Sequence, residues 1–504
     1  MTTLTPTEYL GLSKGKKIGY KLKCFFAGIP TFFKNVIFKI GRFFKKFGIG
    51  FVNYFKTLFL TFVHGDWKTK ISYLILGFGS VARGQVLRGI LFFLLEVVFV
   101  LFMVLFGCHY LLKLGTLGTL ASHEEWIEEL QTYKTIYYDN SFKILLYGVM
   151  SIFFIIAFLY TWNLNIKQNR INEEILKEKK KLKTAKDDLR ALVDHDFYKS
   201  LLALPTLGII IFTILPIFFM VLVAFTNFDV DHQPPQNLFT WVGMDNFNTL
   251  FTFGSGSNKF AVTFGEVLAW TLIWAFFATF TNYFLGMFVA MLINKKGIKL
   301  KKMWRTILVF TIAIPQFISL LYVSKMFADN GIVNHILMDL HIVSKPVPFW
   351  TDPTWAKVTV ILINIWVGIP YLMLITTGIL MNIPADLYES SKIDGASPWK
   401  QYTKITLPYM LFVTGPYLLT SFTSNMNNFN VIFLLSGGEP STNTFYGSAG
   451  KTDLLITWLY KLTLTDNDYK LAAVIGIMVF LVVAFITLVV YNILPSNKNE
   501  EDFA

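Results

Sequence analysis

Eight apolar runs divide the chain, near residues 89–112, 142–162, 201–225, 267–293, 304–328, 356–382, 408–434 and 471–494. Each is long enough to cross about 30 Å of hydrocarbon as a helix rising about 1.5 Å per residue. The pattern predicts an all-α, polytopic membrane protein of about eight transmembrane helices. The polar stretches between the runs have periodicities of their own. Residues 163–200 mix both signs of charge at helical spacing, as in Glu173, Lys177, Glu178 and Lys181, which predicts an exposed helical linker between a two-helix front end and a six-helix core. From Phe25 to Phe47 apolar residues recur at helical spacing, while Lys34, Lys39, Arg42, Lys45 and Lys46 take the other face. That is the pattern of an interfacial helix, and anchoring to anionic membrane lipid is its simplest role. The expected order is a basic N-terminal region (1–88), two helices (89–162), a charged linker (163–200), the core (201–494) and a tail (495–504).

Composition agrees with a membrane solvent. The 504 residues are 54% hydrophobic, 17% aromatic and only 15% charged, too apolar for a soluble protein of this size. A formal charge of +13 raises the question of nucleic acid, but the basic residues collect beside apolar runs, as the positive-inside rule expects, so the partner is a membrane surface and no nucleic acid is expected. Residues 1–88 hold 15 Lys and Arg against 2 acids, Glu8 and Asp66, which places the N-terminus inside. Segments 163–200, 294–303, 383–407 and the tail then also face the cytoplasm, so both termini do. The outward segments are 113–141, 226–266, 329–355 and 435–470, none large enough for a substantial independent domain.

Several chemistries are excluded. Gly77, Gly79 and Ala82 follow the order of a dinucleotide fingerprint, but no alternation of strand and helix surrounds them, so a glycine-rich turn at the membrane surface is the better reading. Gly450-Lys451-Thr452 ends like a phosphate-binding loop, yet Phe445 stands where its first glycine should be. Cys24 and Cys108 give no metal or redox spacing, the seven histidines form no metal pattern, and there is no nucleophile elbow, so no enzyme is expected. An ion-coupled transporter normally keeps acids inside its helices, and Glu96 is the only clearly embedded one. A scaffold without transport would explain the helices but not the polar island described next.

Residues 384–408, PADLYESSKIDGASPWKQYTKITLP, form that island between two apolar runs. Pro384 suits a helix start and Gly395 a left-handed C-terminal cap. Ser397 and Pro398 open a second helix, and Leu407-Pro408 leads into the next run. By shape alone this is equally an interhelical loop. Glu389, then Asp394-Gly395-Ala396, then Tyr402, Ile405, Leu407 and Pro408, however, resemble the EAA motif of ABC-importer permeases, E-A-A-x-x-D-G-A with a later F-x-x-I-x-L-P. Ser390 and Ser391 replace the two alanines and Tyr402 the phenylalanine. The resemblance implies that Glu389, Asp394, Gly395 and Ala396 couple to a separate cytoplasmic ATPase, with no cofactor on this chain and ATP and Mg on that partner.

Two sets of polar residues lie inside apolar runs. Ser421, Asn425 and Asn428, with Ser424 beside them, fall at i, i+4 and i+7, and Asn364, Gly368 and Tyr371 repeat the interval. Amides, hydroxyls, a glycine and an aromatic ring suit a neutral sugar, but an interhelical hydrogen-bond network would need the same spacing. Over roughly 201–494, AFTNFDVDHQPPQNLFTWVGMDNF and TDLLITWLYKLT look like the larger membrane subunit of maltose and maltodextrin importers, the MalF type in its Gram-positive form with a short second outward loop. This resemblance implies an ABC type I importer permease core that moves malto-oligosaccharides or another neutral oligosaccharide. It places those residues and Gln316 along the sugar site, although Ile312 stands where the Gram-negative protein has tyrosine. The expected partners are a second, smaller permease subunit, two cytoplasmic ATPase subunits and an extracellular sugar-binding protein, assembled in a bacterial cell membrane.

Overall fold

Apolar helices make up most of the described residues. The computed structural model describes residues 45–493 apart from 129–130, 137, 253–258 and 296, together with Phe38, Gly41 and Arg42. Most of the anticipated Phe25–Phe47 face and the 495–504 tail lie outside the described residues. Among those described, seven helices are long and apolar enough to cross a membrane, or eight if one sharply bent pair counts as a single span.

In chain order the elements are α1 (45–64), α2 (Trp67–Ile71), α3 (Phe78–Val81), α4 (Val86–Lys113), β1 (His123–Ile127), β2 (Thr132–Ile136), α5 (Ser141–Lys177), α6 (Ala185–Val193) and α7 (Phe197–Val223). There follow α8 (Asp245–Phe251), α9 (Lys259–Asn294), α10 (Lys301–Ala313), α11 (Gln316–Met326), α12 (Ile332–Asp339), α13 (Pro353–Leu380), α14 (Ala385–Ile393), α15 (Pro398–Met426), α16 (Phe429–Leu435), α17 (Leu455–Leu464) and α18 (Tyr469–Ile493). They divide into two compact units, residues 1–109 with 150–207, and residues 110–149 with 208–504.

In the first unit, the segment expected to be a solvated linker proves partly buried. Helix α5 runs on through residue 177, and Asn165, Asn169 and Asn172 on its extension are buried. These amides fold the glycine-rich stretch onto the helix. Asn165 donates from Nδ2 to Ser72 O at 2.9 Å and accepts from Gly77 N at 3.1 Å. Asn172 donates to Gln85 Oε1 at 2.8 Å, and Trp162 Nε1 donates to Tyr73 O at 2.9 Å. Glycine is required at 79, where a Cβ would lie 2.1 Å from Asn169 Oδ1. The Arg83 guanidinium, 1% exposed, bonds Asn169 Oδ1 and Asp66 at 2.6 Å each and reaches Glu173 at 3.4 Å. Burial pushes the Asp66 carboxyl up, but its hydrogen bonds and the guanidinium outweigh this and hold it below the usual carboxylate range. Glu96, the embedded acid, accepts from Leu76 N at 2.9 Å. An Asn stripe at i, i+4 and i+7 thus does packing work here, because backbone amides outside regular helix must find partners when buried.

The second unit is built around α9, whose contact with α13 is the most extensive between two helices among the described residues. Trp270, Trp274 and Ala278 of α9 pack with Leu320, Val360 and Val431 in one apolar cluster, and Tyr283 and Met287 pack with Leu372, Met410 and Leu418 in a second. Two expected spans are interrupted. The 304–328 run breaks into α10 and α11, which meet at 91°. Pro315 lacks an amide hydrogen and excludes helical geometry at Ile314, which sits at φ −82°, ψ 127°. The 408–434 run does not begin at Pro408. Helix α15 starts at Pro398, passes through one wide i→i+5 turn at Tyr402–Thr406 that accommodates Pro408, and stops at Met426 before α16.

Loops cap the end of this unit opposite residues 384–408. The 113–140 segment carries the hairpin β1–β2, and its base is held to the 226–252 loop by Trp241 Nε1 donating to Leu114 O at 2.9 Å. Asp229 pairs with Lys470 and with His232, whose Nδ1 lies 2.7 Å from its Oδ1. Burial pushes the Asp229 carboxyl up, but the hydrogen bonds from Lys470 and His232 and the lysine charge hold it below its ordinary value. Between α16 and α17, Asp453 is fully buried and accepts from Gly450 N at 2.8 Å, Thr457 Oγ1 at 2.8 Å and Lys461 Nζ at 2.7 Å. Burial pushes its carboxyl up, opposed by Lys461. The residues of the rejected phosphate-loop match are absorbed in packing: Lys451 bonds Glu266 at 2.9 Å and Thr452 Oγ1 donates to Glu439 O at 2.6 Å.

Candidate functional site

The 384–408 island is two helices joined at Gly395, as its sequence predicts. Helix α14 closes on Gly395 at φ +72°, with Gly395 N donating to Lys392 O at 3.0 Å and Ala396 N to Ser391 O at 2.9 Å. This pair of bonds is a Schellman cap, and a residue with a Cβ resists its left-handed angle. Ser397 then caps α15 by accepting from Lys400 N at 3.3 Å. The corner is tied across: Gln401 Nε2 donates to Ser391 Oγ at 2.7 Å and to Tyr388 O at 3.1 Å, and the Tyr388 hydroxyl meets Thr406 Oγ1 at 2.9 Å. Ser391, which stands where the motif has alanine, therefore braces the turn. The outer surface is apolar in a polar setting, with Ile393 88% and Trp399 72% exposed. Glu389, Asp394 and Gly395 are exposed beside them, and Ala396 is half-buried. An exposed patch of this kind, rimmed by charge, marks a contact surface.

The intramembrane polar residues converge on a helix from which the sequence drew no candidate. Near its middle, α9 presents Thr279, Asn282 and Tyr283, all buried. Asn425 Nδ2 donates to Thr279 Oγ1 at 3.0 Å, Tyr283 OH meets Thr414 Oγ1 at 2.8 Å, and Asn282 Nδ2 reaches Asn364 O at 3.5 Å. Asn428 donates to Asn425 Oδ1 at 3.3 Å and caps α16 by accepting from Val431 N at 3.3 Å. Because α15 ends at Met426, Asn428 does not continue the helical face of Ser421 and Asn425; the break brings it beside Asn425 instead.

The Asn364, Gly368 and Tyr371 face is likewise divided. Asn364 is buried, and a Cβ on Gly368 would lie 2.2 Å from Asn282 Nδ2, so this glycine makes room for a neighbouring helix. One turn further on, the face opens. Tyr371 is 53% exposed and lies near Tyr417, which also neighbours Ser421. Ser421 is half-buried, Ser424 is exposed, and Gln316 is exposed at the corner between α11 and Pro315. Thr279, Asn282, Thr414 and Tyr417 were missed. The available signal was Thr279 and Asn282 at i and i+3 inside an apolar run, where polar side chains are costly. The assembled layer is uncharged, rich in hydroxyls and amides, and lies at mid-helix in α9 and α13. It can exchange hydrogen bonds with a neutral polar ligand and offers no carboxylate to carry a proton or cation.

Comparison with known proteins gives consistent relatives. The family described as "Binding-protein-dependent transport system inner membrane component" matches residues 282–498. The maltodextrin transport system permease protein MalC of Streptococcus pneumoniae is 34% identical over 450 residues, covering 86% of this chain and 97% of MalC. The galactooligosaccharides transport system permease protein GanP of Bacillus subtilis is 34% identical over 429 residues, covering 85% of this chain and 97% of GanP. The maltose/maltodextrin permease MalF of Escherichia coli K12 is 36% identical over 251 residues, 49% of this chain and 48% of MalF. A solved bacterial ABC transporter that imports alginate aligns over 62% of this chain, with 24% identity and a TM-score of 0.48.

Proposed function

This chain belongs to the binding-protein-dependent permeases of ABC importers, and from that premise we propose that it forms half of a pathway for maltodextrins. As a member it is a multi-pass membrane subunit and not itself an enzyme. The observation that carries the substrate reading is the uncharged polar layer where α9, α13 and α15 meet, since a neutral oligosaccharide must trade water for fixed hydroxyl and amide contacts. Asn364, Tyr371, Ser421, Ser424, Asn425 and Asn428 would supply these contacts, with Gln316 at the rim; Gly368 would act through the helix packing beside them. The names of the MalC-type relatives support maltodextrin. A galacto-oligosaccharide is the second reading, supported by a relative of equal identity.

In this reading a smaller permease completes the pathway. Two ATPase subunits carry ATP and Mg, one of them seated on the 384–408 corner, and an extracellular binding protein delivers sugar to the opposite end. Closure of the ATPases tilts the corner and, because α14 and α15 are tied there, moves α15 against α9. The test is an Asn425→Leu, Asn428→Leu double variant, assayed for uptake of labelled maltotriose and of a galacto-oligosaccharide. Loss of buried partners worth about 1–3 kcal/mol each should cut uptake about tenfold or more at normal amounts of assembled complex. Full-rate uptake of both sugars would sink the site, and a loss confined to complex yield would make these amides packing residues.

The orientation is part of the same proposal, with both termini and residue 184 inside. In a background lacking Cys24 and Cys108, a cysteine placed at Ser441 should react with an impermeant maleimide added outside sealed cells. Cysteines at Thr184 and Ser397 should react only after permeabilisation. Labelling of the Thr184 position from outside would invert the topology.

A further inference from the structure

In the polar layer, two buried atoms are left over. Asn282 Oδ1, an acceptor, and Asn364 Nδ2, a donor, have no hydrogen-bond partner, although their residues are only 5% and 6% exposed. The two residues are joined by the long bond from Asn282 Nδ2 to the Asn364 carbonyl at 3.5 Å, which leaves both of these atoms free. Buried polar groups are almost always paired, so an unpaired donor and an unpaired acceptor on facing helices point to something that supplies both functions. A hydroxyl does so: its oxygen accepts from Asn364 Nδ2 while its hydrogen is donated to Asn282 Oδ1. Gly368 lets the Asn282 amide come this close to α13, since any Cβ there would overlap it.

We propose that Asn282 is a sugar-contacting residue of the translocation site, its Oδ1 accepting from one ligand hydroxyl whose oxygen is held by Asn364 Nδ2. The inference rests on the reading of the layer as the sugar site, and it adds α9 to the helices that touch sugar. It also assigns the direction of each bond. Asn282 acts as an acceptor, so its carbonyl oxygen is needed and its Nδ2 is not.

The assay uses the complete complex with its binding protein, trapped with vanadate in the presence of labelled maltotriose, and reads sugar retained per complex. Asn282→Leu should lower retention about tenfold or more, the loss expected of one buried hydroxyl contact. Asn282→Asp still offers an oxygen acceptor and should retain sugar within about threefold of the parent. A purely structural role through the Nδ2 bond predicts instead that Asn282→Leu lowers the amount of assembled complex and leaves the sugar retained per complex unchanged. Equal loss in both variants, failure of both to assemble, or undiminished retention in Asn282→Leu, as a bridging water would give, each overturns the proposal. The Asn425→Leu, Asn428→Leu variant runs in parallel. If it retains sugar normally the whole site reading fails, whereas if it loses sugar and Asn282→Leu does not, only the role of Asn282 fails.

Discussion

Replacing Gly395 by proline abolishes ATP-driven uptake while leaving the chain inserted in the membrane. Proline fixes φ near about −65°, and the residue sits at +72°. It also removes the amide hydrogen that bonds Lys392 O at 3.0 Å, one of the two bonds of the cap. The angle between α14 and α15 must then change, although Gln401 still ties Ser391 across the corner, and Ile393 and Trp399 no longer present one surface. The spanning part of α15 lies beyond the wide turn at Tyr402–Thr406, so insertion does not depend on the cap. Gly395→Ala separates backbone strain from lost geometry. Its Cβ would meet nothing within 4 Å, so it incurs only the left-handed penalty of about 1–2 kcal/mol and should keep partial uptake. The measurements are copurification of the ATPase with each variant and sugar-stimulated ATP hydrolysis in proteoliposomes. Normal stimulation in the proline variant would show that the corner does not transmit the stroke.

Lys461→Met is expected to produce the largest loss of stability outside the membrane. It strips the ammonium from Asp453, which is fully buried and 2.7 Å from it. Removing one partner of a buried pair commonly costs about 3–5 kcal/mol. The carboxyl can escape by taking a proton, and raising a group of ordinary pKa near 3.9 to neutrality at pH 7 limits the loss to about 4 kcal/mol. Asp453 also accepts from Gly450 N and Thr457 Oγ1, so the damage should reach the 436–468 loop and not only α17. Adding Asp453→Asn removes the stranded charge and should recover most of the loss. Thermal unfolding of the purified complex reads both steps. If the parent, the single and the double variant all melt together, the pair contributes nothing and the loop is held by its hydrogen bonds alone.

The apolar runs by themselves determined that this chain is a bundle of spanning helices, because in hydrocarbon every backbone group must be satisfied within its own segment and about 20 apolar residues admit few alternatives to a helix. The Gly395 corner was legible for a similarly local reason: a positive φ, a serine cap and a proline at the first helical position are properties of neighbouring residues. The EAA pattern on that corner and the length of the MalC match then place the chain in its family. What only the tertiary structure decided is which face of each helix meets which neighbour. Asn165, Asn169 and Asn172 have the same spacing as Ser421, Asn425 and Asn428, yet the first set folds the 72–85 stretch onto α5. Asn425 and Asn428 instead stand in the intramembrane layer. Spacing names a face but not its partner, and α9, with apolar residues spread evenly around its circumference, announces no face at all. Its Thr279, Asn282 and Tyr283 acquire meaning only when α13 and α15 close around them, since a buried amide is defined by the groups left to bond it.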